Sequence, residues 1–375
     1  MKNTLVLALY HIRFNKIKTS IMVFSVAVAV FLPLAVNLLV DDYQRNITTR
    51  AQSTPLVAGA PGSRLDLVMH ALYFRGNPAQ DLTFSDVDKI SKSDLAMAIP
   101  IIQKHTARGF PVVGTSLEYF DFRGLKLVHG SRLARIGDCV LGASVAKKLD
   151  LMPGDKLMSD PDNVFNLAGA YPLNMTVKGI LAPAGTADDD AVFANFKTAW
   201  IVLGLMHGHQ DVVKAGASPL PSSTVLPYQE ITTGNLTRFH PHGDPATFPV
   251  SAIIVIPHDE KSAAILRGRY ADPKTTVQIL VPTQIMSEMI EIVFSIKKFF
   301  DAQAFMVGLA MVLLLALVVL LSLRLRRGEM ETMFNLGCAR GVIFALQATE
   351  IVLVLVAGAM IATGLAYLVL LQLRA

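Results

Sequence analysis

Three uninterrupted apolar runs dominate the chain. They are residues 21–40 (IMVFSVAVAVFLPLAVNLLV), 304–323 (AFMVGLAMVLLLALVVLLSL) and 351–371 (IVLVLVAGAMIATGLAYLVLL), and none contains Asp, Glu, Lys, Arg or His. A helix of about 20 residues rising about 1.5 Å per residue spans the roughly 30 Å hydrocarbon layer of a bilayer. The pattern therefore predicts three transmembrane helices. The first run is too long for a signal core of about 7–15 residues, and no small-x-small cleavage pattern follows it. It is read as a retained anchor.

Between the first two runs the pattern changes to short segments. MAIPIIQ and FPVVGTS are β-rich and bounded by turn residues, and VSAIIVIP is a further strand followed by a helix starting near Asp259. PLVAGAPGSRLDLV reads as a turn leading into a strand. LTFSDVDKISKS starts like a helix capped by Thr83 or Ser85. DCVLGASVAKKLDLMPGDKL reads as strand, short helix, turn and strand, and MTVKGILAPAGTADDDAVF as two strands around a polar turn, whose acids are read as solvated with a cation site as the alternative. Residues 207–250, rich in His, Pro, Gly and Ser, read as an irregular insertion, and 282–300 as a helical stalk into the second span. Alternating short strands and helices predict an α+β domain.

Charge orients the chain. The segment 1–20 carries Lys2, Arg13, Lys16 and Lys18 and no acid, whereas Asp41 and Asp42 follow the first span. The positive-inside rule places 1–20, an amphipathic segment, in the cytoplasm and 41–303 outside. Arg324, Arg326, Arg327 and Arg340 then mark 324–341 as cytoplasmic, with the third span and a short C-terminus in 342–375. The net charge of +5 belongs partly to these basic flanks and calls for no nucleic-acid partner. Cys139 and Cys338 fall on opposite sides of the membrane and cannot pair. Mean hydropathy of +0.47 fits a membrane protein.

Catalytic motifs are missing from the sequence. It holds no G-x-x-x-x-G-K-[ST] phosphate loop, no H-E-x-x-H and no G-x-S-x-G. The expectation is a non-catalytic membrane subunit without a cofactor. Spans free of ionisable groups also argue against an ion- or proton-coupled carrier. Two histidine pairs with nearby acids, His207 and His209 (HGHQD) and His240 and His242 (HPHGD), are the candidate metal ligands, set against a polar surface loop with scattered histidines. Gly358 and Gly364 in the third span can permit close helix packing.

The insert RLRRGEMETMFNLGCARG separates the second and third spans. Met330, Met333, Phe334 and Gly337 recur at i, i+3, i+4 and i+7, one face of a short helix, with Arg327 and Glu329 opposite. Such a helix fits either a groove on a partner protein or the lipid headgroup layer.

The order of one span, a large external domain, a span and then R-R-x-E-x-x-x-(apolar)-x-x-L-G-x-x-R resembles the FtsX/MacB-like, or type VII, permeases of ABC systems. The motif residues here are Arg326, Arg327, Glu329, Met333, Leu336, Gly337 and Arg340. VVGTSLEYFDFRGLKLVHG, VLGASVAKKLDLMPGDKL and VKGILAPAGTADDDAVF resemble that family's periplasmic core domain. The resemblance implies that 324–341 is a coupling helix seated on a separate ABC ATPase subunit. It also implies a homo- or heterodimer of permeases in a bacterial inner membrane, a periplasmic adaptor as a further candidate partner, and an external domain that moves as ATP is bound and hydrolysed, for export or extraction. The family usually carries a fourth span, and three are expected here. Two other readings stand beside this one: a membrane-anchored regulator or binding protein without transport, and a metal or haem exporter subunit.

Overall fold

The structure, a computed structural model, describes residues 2–14, 16–76, 80–161, 172–208, 229–232, 234–272, 274–325, 327–335, 337, 339–374. Helices α1 (Lys2–Phe14) and α2 (Lys16–Gln52) open the chain, and α2 carries Pro33 inside it. The Pro33 carbonyl accepts a hydrogen bond from Asn37 Nδ2 at 3.0 Å.

Strand β1 (Leu56–Gly59) is followed by α3 (Arg64–Tyr73), where the sequence pattern had suggested a turn leading into a strand. The Ser63 hydroxyl accepts from the Asp66 N–H at 3.2 Å and starts the helix, and Leu67, Val68, Ala71 and Leu72 share its buried face. The 3.6-residue spacing of these four outweighs the turn residues before them. Next come β2 (Leu82–Thr83) and α4 (Phe84–Ser91), capped from Thr83, whose N–H donates back to Asp86 at 3.1 Å. Strands β3 (Ala96–Ala107) and β4 (Phe110–Thr115) form a hairpin, then α5 (Glu118–Arg123) and β5 (Leu127–Gly130).

Strand β6 (Asp138–Leu141), helix α6 (Ala143–Leu149) and β7 (Lys156–Met158) follow in the expected order. Strand β8 (Leu173–Leu181) leads through a 3₁₀ turn (Ala187–Asp190) to β9 (Val192–Asn195) and α7 (Phe196–Val202). The stretch read as an irregular insertion contains β10 (Met206–Gly208), β11 (Gln229–Glu230), β12 (Phe239–Pro241) and β13 (Pro249–Val250), while 209–228 lie outside the described residues. The domain closes with β14 (Ala252–Pro257), α8 (Glu260–Arg269), capped by the Asp259 carboxylate on the Ser262 N–H at 2.6 Å, and β15 (Gln278–Leu280). Helices α9 (Pro282–Leu325), α10 (Arg327–Asn335) and α11 (Arg340–Arg374) complete the chain.

These elements make two compact units, Ile47–Glu288 and Met1–Asn46 with Met289–Ala375. The first is α+β; the 41–303 expected from the sequence also took in the helical stalk. Its sheet runs in the order β11-β8-β6-β9-β4-β3-β14-β1-β15, with β5 and β7 also paired to β8. The long strand β3 joins the two halves: Ala96–Ile101 pair with β14, and Ile102–Ala107 pair with β4 across a bulge. Strands β4 and β9 run parallel, and β6 runs antiparallel to β9. The core packs on this sheet, with Ile99, Ile101, Leu141, Leu173, Val177 and Phe193 among its fully buried side chains. Trp200 of α7 fills one end, in contact with Phe84, Phe196 and Phe248, and its indole N–H donates to the Pro249 carbonyl at 3.1 Å.

The second unit is helical. Among the described residues two helical stretches are long and apolar enough to cross a membrane, Thr19–Val40 and Phe344–Val369. Three spans had been expected. The 304–323 run is helical within α9, but its side chains at 315, 318, 319, 322 and 323 lie outside the described residues, and it is not one of the two. Helices α2 and α11 meet at Gly358, where a Cβ would lie 2.7 Å from Val26 Cβ and 3.1 Å from the Val23 carbonyl oxygen. Gly364 has nothing within 4 Å. Large apolar side chains such as Phe24, Leu32, Val352, Met360 and Leu368 are exposed, as a lipid environment permits.

Candidate functional sites: a connecting helix and a buried ion pair

The insert between the apolar helices folds as α10 and holds Arg327, Glu329, Met330, Met333 and Phe334. Phe334 and Arg327 are exposed, Met330 is partly buried, and Arg327 Nε meets Glu331 at 3.3 Å on the helix surface. The helix stops because Gly337 takes φ +92°, a left-handed conformation that favours glycine, and its N–H donates to the Phe334 carbonyl at 2.9 Å. Arg340 begins α11. Arg326, Leu336 and Cys338 lie outside the described residues.

Of the candidate metal ligands, the antiparallel pairing of β10 with β12 places His207 in register with His240. His240 and His242 are exposed, with ring centroids 4.9 Å apart, and His240 Nδ1 donates to the Arg238 carbonyl at 2.9 Å. The Asp244 carboxylate caps a short turn through the Ala246 N–H at 3.0 Å. His209 lies outside the described residues. No group of three His, Cys, Asp or Glu that could hold a metal ion forms among the described residues. Cys139 is buried in β6, and burial pushes its thiol pKa up, which leaves it unreactive.

The external unit contains a polar cluster that the sequence did not reveal. Arg50, in the last turn of α2, is 5% exposed and Asp188 of the 3₁₀ turn is 1% exposed. Arg50 Nη1 donates to Asp188 Oδ2 at 2.6 Å and Nη2 to Oδ1 at 2.9 Å, a two-pronged pair. Nη2 also donates to the Tyr119 hydroxyl at 2.9 Å, and Nε donates to the Leu72 carbonyl. The Tyr119 hydroxyl in turn donates to Asp188 Oδ1 at 2.6 Å, and Thr186 Oγ1 donates to Oδ2 at 2.9 Å. The guanidinium lies 5.7 Å from the Phe74 ring centroid.

Electrostatics follow from this geometry. Burial works against the Asp188 carboxylate, but the hydrogen bonds and charge of Arg50, with help from Tyr119 and Thr186, hold its pKa below the usual value. Burial likewise works against the Arg50 cation, and Tyr119 and Asp188 outweigh it, so Arg50 stays charged. Burial pushes the Tyr119 hydroxyl well up, which keeps it a neutral donor. A second guanidinium, Arg123, stacks 4.8 Å from the Phe122 centroid and donates to Ser53 Oγ at 3.2 Å. Its Nε and Nη2 are buried without an acceptor. TADDDAV, read as a turn of solvated acids, is therefore corrected: Asp188 is a core residue. Asp189 accepts from the Ala184 and Gly185 N–H groups, and Asp190 meets Lys148 at 3.2 Å.

Comparison with known proteins places the chain. The MacB-like periplasmic core domain matches residues 19–218, more than half of the sequence. The chain belongs to this family, that of the FtsX/MacB-like, type VII, ABC transporter permeases, as the sequence motifs had implied. Among solved structures it is similar to the periplasmic region of MacB from Actinobacillus actinomycetemcomitans, at 15% identity and a TM-score of 0.38 over 65% of this chain and 97% of that one. It is also similar to the extracellular domain of the noncanonic ABC-type transporter YknZ from Gram-positive bacteria, at 14% identity and a TM-score of 0.35 over 60% of this chain and 99% of that one. No curated protein matches the chain.

Proposed function

We propose that the chain is the non-catalytic permease subunit of an ABC complex in a bacterial inner membrane. In this reading a separate ATPase chain binds and hydrolyses ATP, α10 seats on that chain, and the external unit moves in response to export or extract a substrate. The observation that carries the proposal is the family match over 19–218 combined with α10, a short helix with an exposed Phe334 and Arg327 between two long apolar helices. An apolar anchor with charges beside it is what a protein groove takes from a short helix. Conformational work of this kind needs no covalent chemistry in the permease, only a structure with two arrangements that nucleotide biases.

The test is co-purification of the full chain with a co-expressed ABC ATPase, comparing the natural sequence with Met333→Asp plus Phe334→Asp. Loss of the complex and of membrane-dependent ATP hydrolysis, with the permease still folded and inserted, supports seating on α10. An unchanged complex moves the docking site elsewhere. Failure of any ATPase to bind either chain overturns the ABC reading in favour of a membrane-anchored binding protein.

A further inference from the structure

We infer that the outer edge of β5 takes an extended, acidic segment of a partner protein, which joins the sheet of the external unit as one more strand. The inference goes beyond the permease reading and does not depend on it.

Strand β5 lies at the margin of the sheet and is paired on one side, to β8. That pairing decides which backbone groups are left over. The Ala182 N–H donates to the Lys126 carbonyl at 2.8 Å and the Ser131 N–H to the Lys178 carbonyl at 2.9 Å, so residues 126 and 131 face β8. Along an antiparallel pair, residues bonded to the partner strand alternate with residues that face outward. Leu127 and Gly130, next to those two, therefore turn their N–H and C=O groups away from β8, and no partner meets them among the described residues.

This edge is already in place without a guest. Gly130 takes φ +79°, a left-handed conformation that favours glycine, and a Cβ there would collide with the Lys178 carbonyl. A Cβ on Gly179 would lie 2.6 Å from the Ser131 carbonyl oxygen. Two glycines thus seat β5 tightly on β8. It is also the barest margin of the sheet. Val128, His129 and Gly130 are exposed, Val128 to 53%. By contrast, all three residues of β15 are partly buried, and β7 buries Leu157 and spends Lys156 on Glu230 of β11 at 2.6 Å.

Charge selects the guest. From Gly124 to Gly137 the sequence holds Lys126, Arg132 and Arg135 and no acid, and these three and His129 are exposed. Asp121 engages Arg132 at 2.8 Å, while Lys126 and Arg135 make no ion pair among the described residues. A second copy of the chain would set like charges against each other across the new pairing, which is unfavourable. An acidic strand instead gains main-chain bonds from Leu127 and Gly130 and opposite charge on the flanks, as extended peptides do when they add to an open sheet. A lysine on an edge also discourages unwanted pairing. A guarded edge and a receiving one differ in whether an acidic strand binds.

The test uses the full chain in nanodiscs of zwitterionic lipid at low salt, and reads the fluorescence anisotropy of a labelled peptide of alternating glutamate and valine. Expected is binding with a Kd below about 1 mM that weakens as salt is added, and no binding of a lysine–valine counterpart. N-methylation of alternate residues removes the peptide's donors but keeps its charge, and should weaken binding about tenfold or more. Lys126→Glu with His129→Glu should weaken it about as much, with an unchanged melting temperature because both side chains are exposed. A natural chain that does not bind the glutamate peptide overturns the inference and leaves the cations as guards of the edge. Binding that survives N-methylation overturns it in favour of a charged patch without strand pairing. A change of oligomeric state in the double variant overturns it in favour of a second copy.

Discussion

No side chain fits on Gly142, because a Cβ there would lie 2.2 Å from the Asp188 carbonyl oxygen and 2.4 Å from that of Asp189. The backbone of Gly142, at φ −63° and ψ 156°, is one that any residue adopts, so the requirement is for space alone. The glycine lets the start of α6 press directly on the turn that presents the Asp188 carboxylate to Arg50. Gly142→Ala should displace that turn and cost about 1–3 kcal/mol. Urea denaturation followed by tryptophan fluorescence would measure it, and a loss below about 0.5 kcal/mol would show that the turn yields freely.

Gly358 makes a second close approach, between α2 and α11. Gly358→Val would drive its side chain into Val26, and the helical unit should lose about 1–3 kcal/mol or splay at this crossing. Gly364→Val, at a position with nothing within 4 Å, serves as the control and should be near neutral. Thermal inactivation of both variants in the same detergent separates them. Equal melting temperatures would mean that the two helices do not rely on this contact.

The external unit should weaken in mild acid through His70. This imidazole is 1% exposed, its Nδ1–H donates to the Gly76 carbonyl at 3.0 Å, and Nε2 has no partner. Burial lowers its pKa below 6.5, with the Gly76 carbonyl and Asp81 opposing and Lys104 adding to the shift. Above 6.5 both folded and unfolded chains carry the neutral ring and nothing is lost. As pH falls below 6.5 the unfolded chain takes the proton first, so stability declines until the lowered folded pKa is reached. His70→Asn, whose amide can replace the donor to Gly76, should flatten the decline measured by urea denaturation between about pH 7.5 and about pH 5. An unchanged slope would assign the acid sensitivity to other groups.

Trp200 binds one end of the core together. Trp200→Ala should cost about 3–5 kcal/mol, because it removes the ring that touches Phe84, Phe196 and Phe248. Trp200→Phe keeps much of the packing and gives up the hydrogen bond to Pro249, for about 1–2 kcal/mol. Chemical denaturation monitored by circular dichroism tests both, and equal losses would put the whole effect in the hydrogen bond.

Local structure was largely legible. The β-rich runs MAIPIIQ and FPVVGTS, bounded by turn residues, gave β3 and β4, a cap at Thr83 or Ser85 gave the start of α4, and α8 starts near Asp259 as expected. The helix in RLDLVMHALY was not, because Gly and Pro just upstream drew the reading toward a turn and strand. The buried pair was hidden for a different reason. Three consecutive acids look solvated, and what turns one of them into a core residue is an arginine 138 positions earlier in the chain. Local pattern carries no term for such a distant partner. The amphipathic spacing of α10 was visible, but spacing alone is the same for a helix on a protein groove and one on lipid headgroups.

The pairing of β1 sets an order of events for the growing chain. Val57 faces Ile254 on one side and Leu280 on the other, so the strand made first in the external unit waits for the strands made last. Closing a contact over that much chain is slow, because the intervening residues must be ordered before the pairing is gained. The pairings of β1 are therefore completed only after β14 and β15 have been made. Until then both edges of β1 are unpaired, and an open strand edge is a template for pairing with another chain.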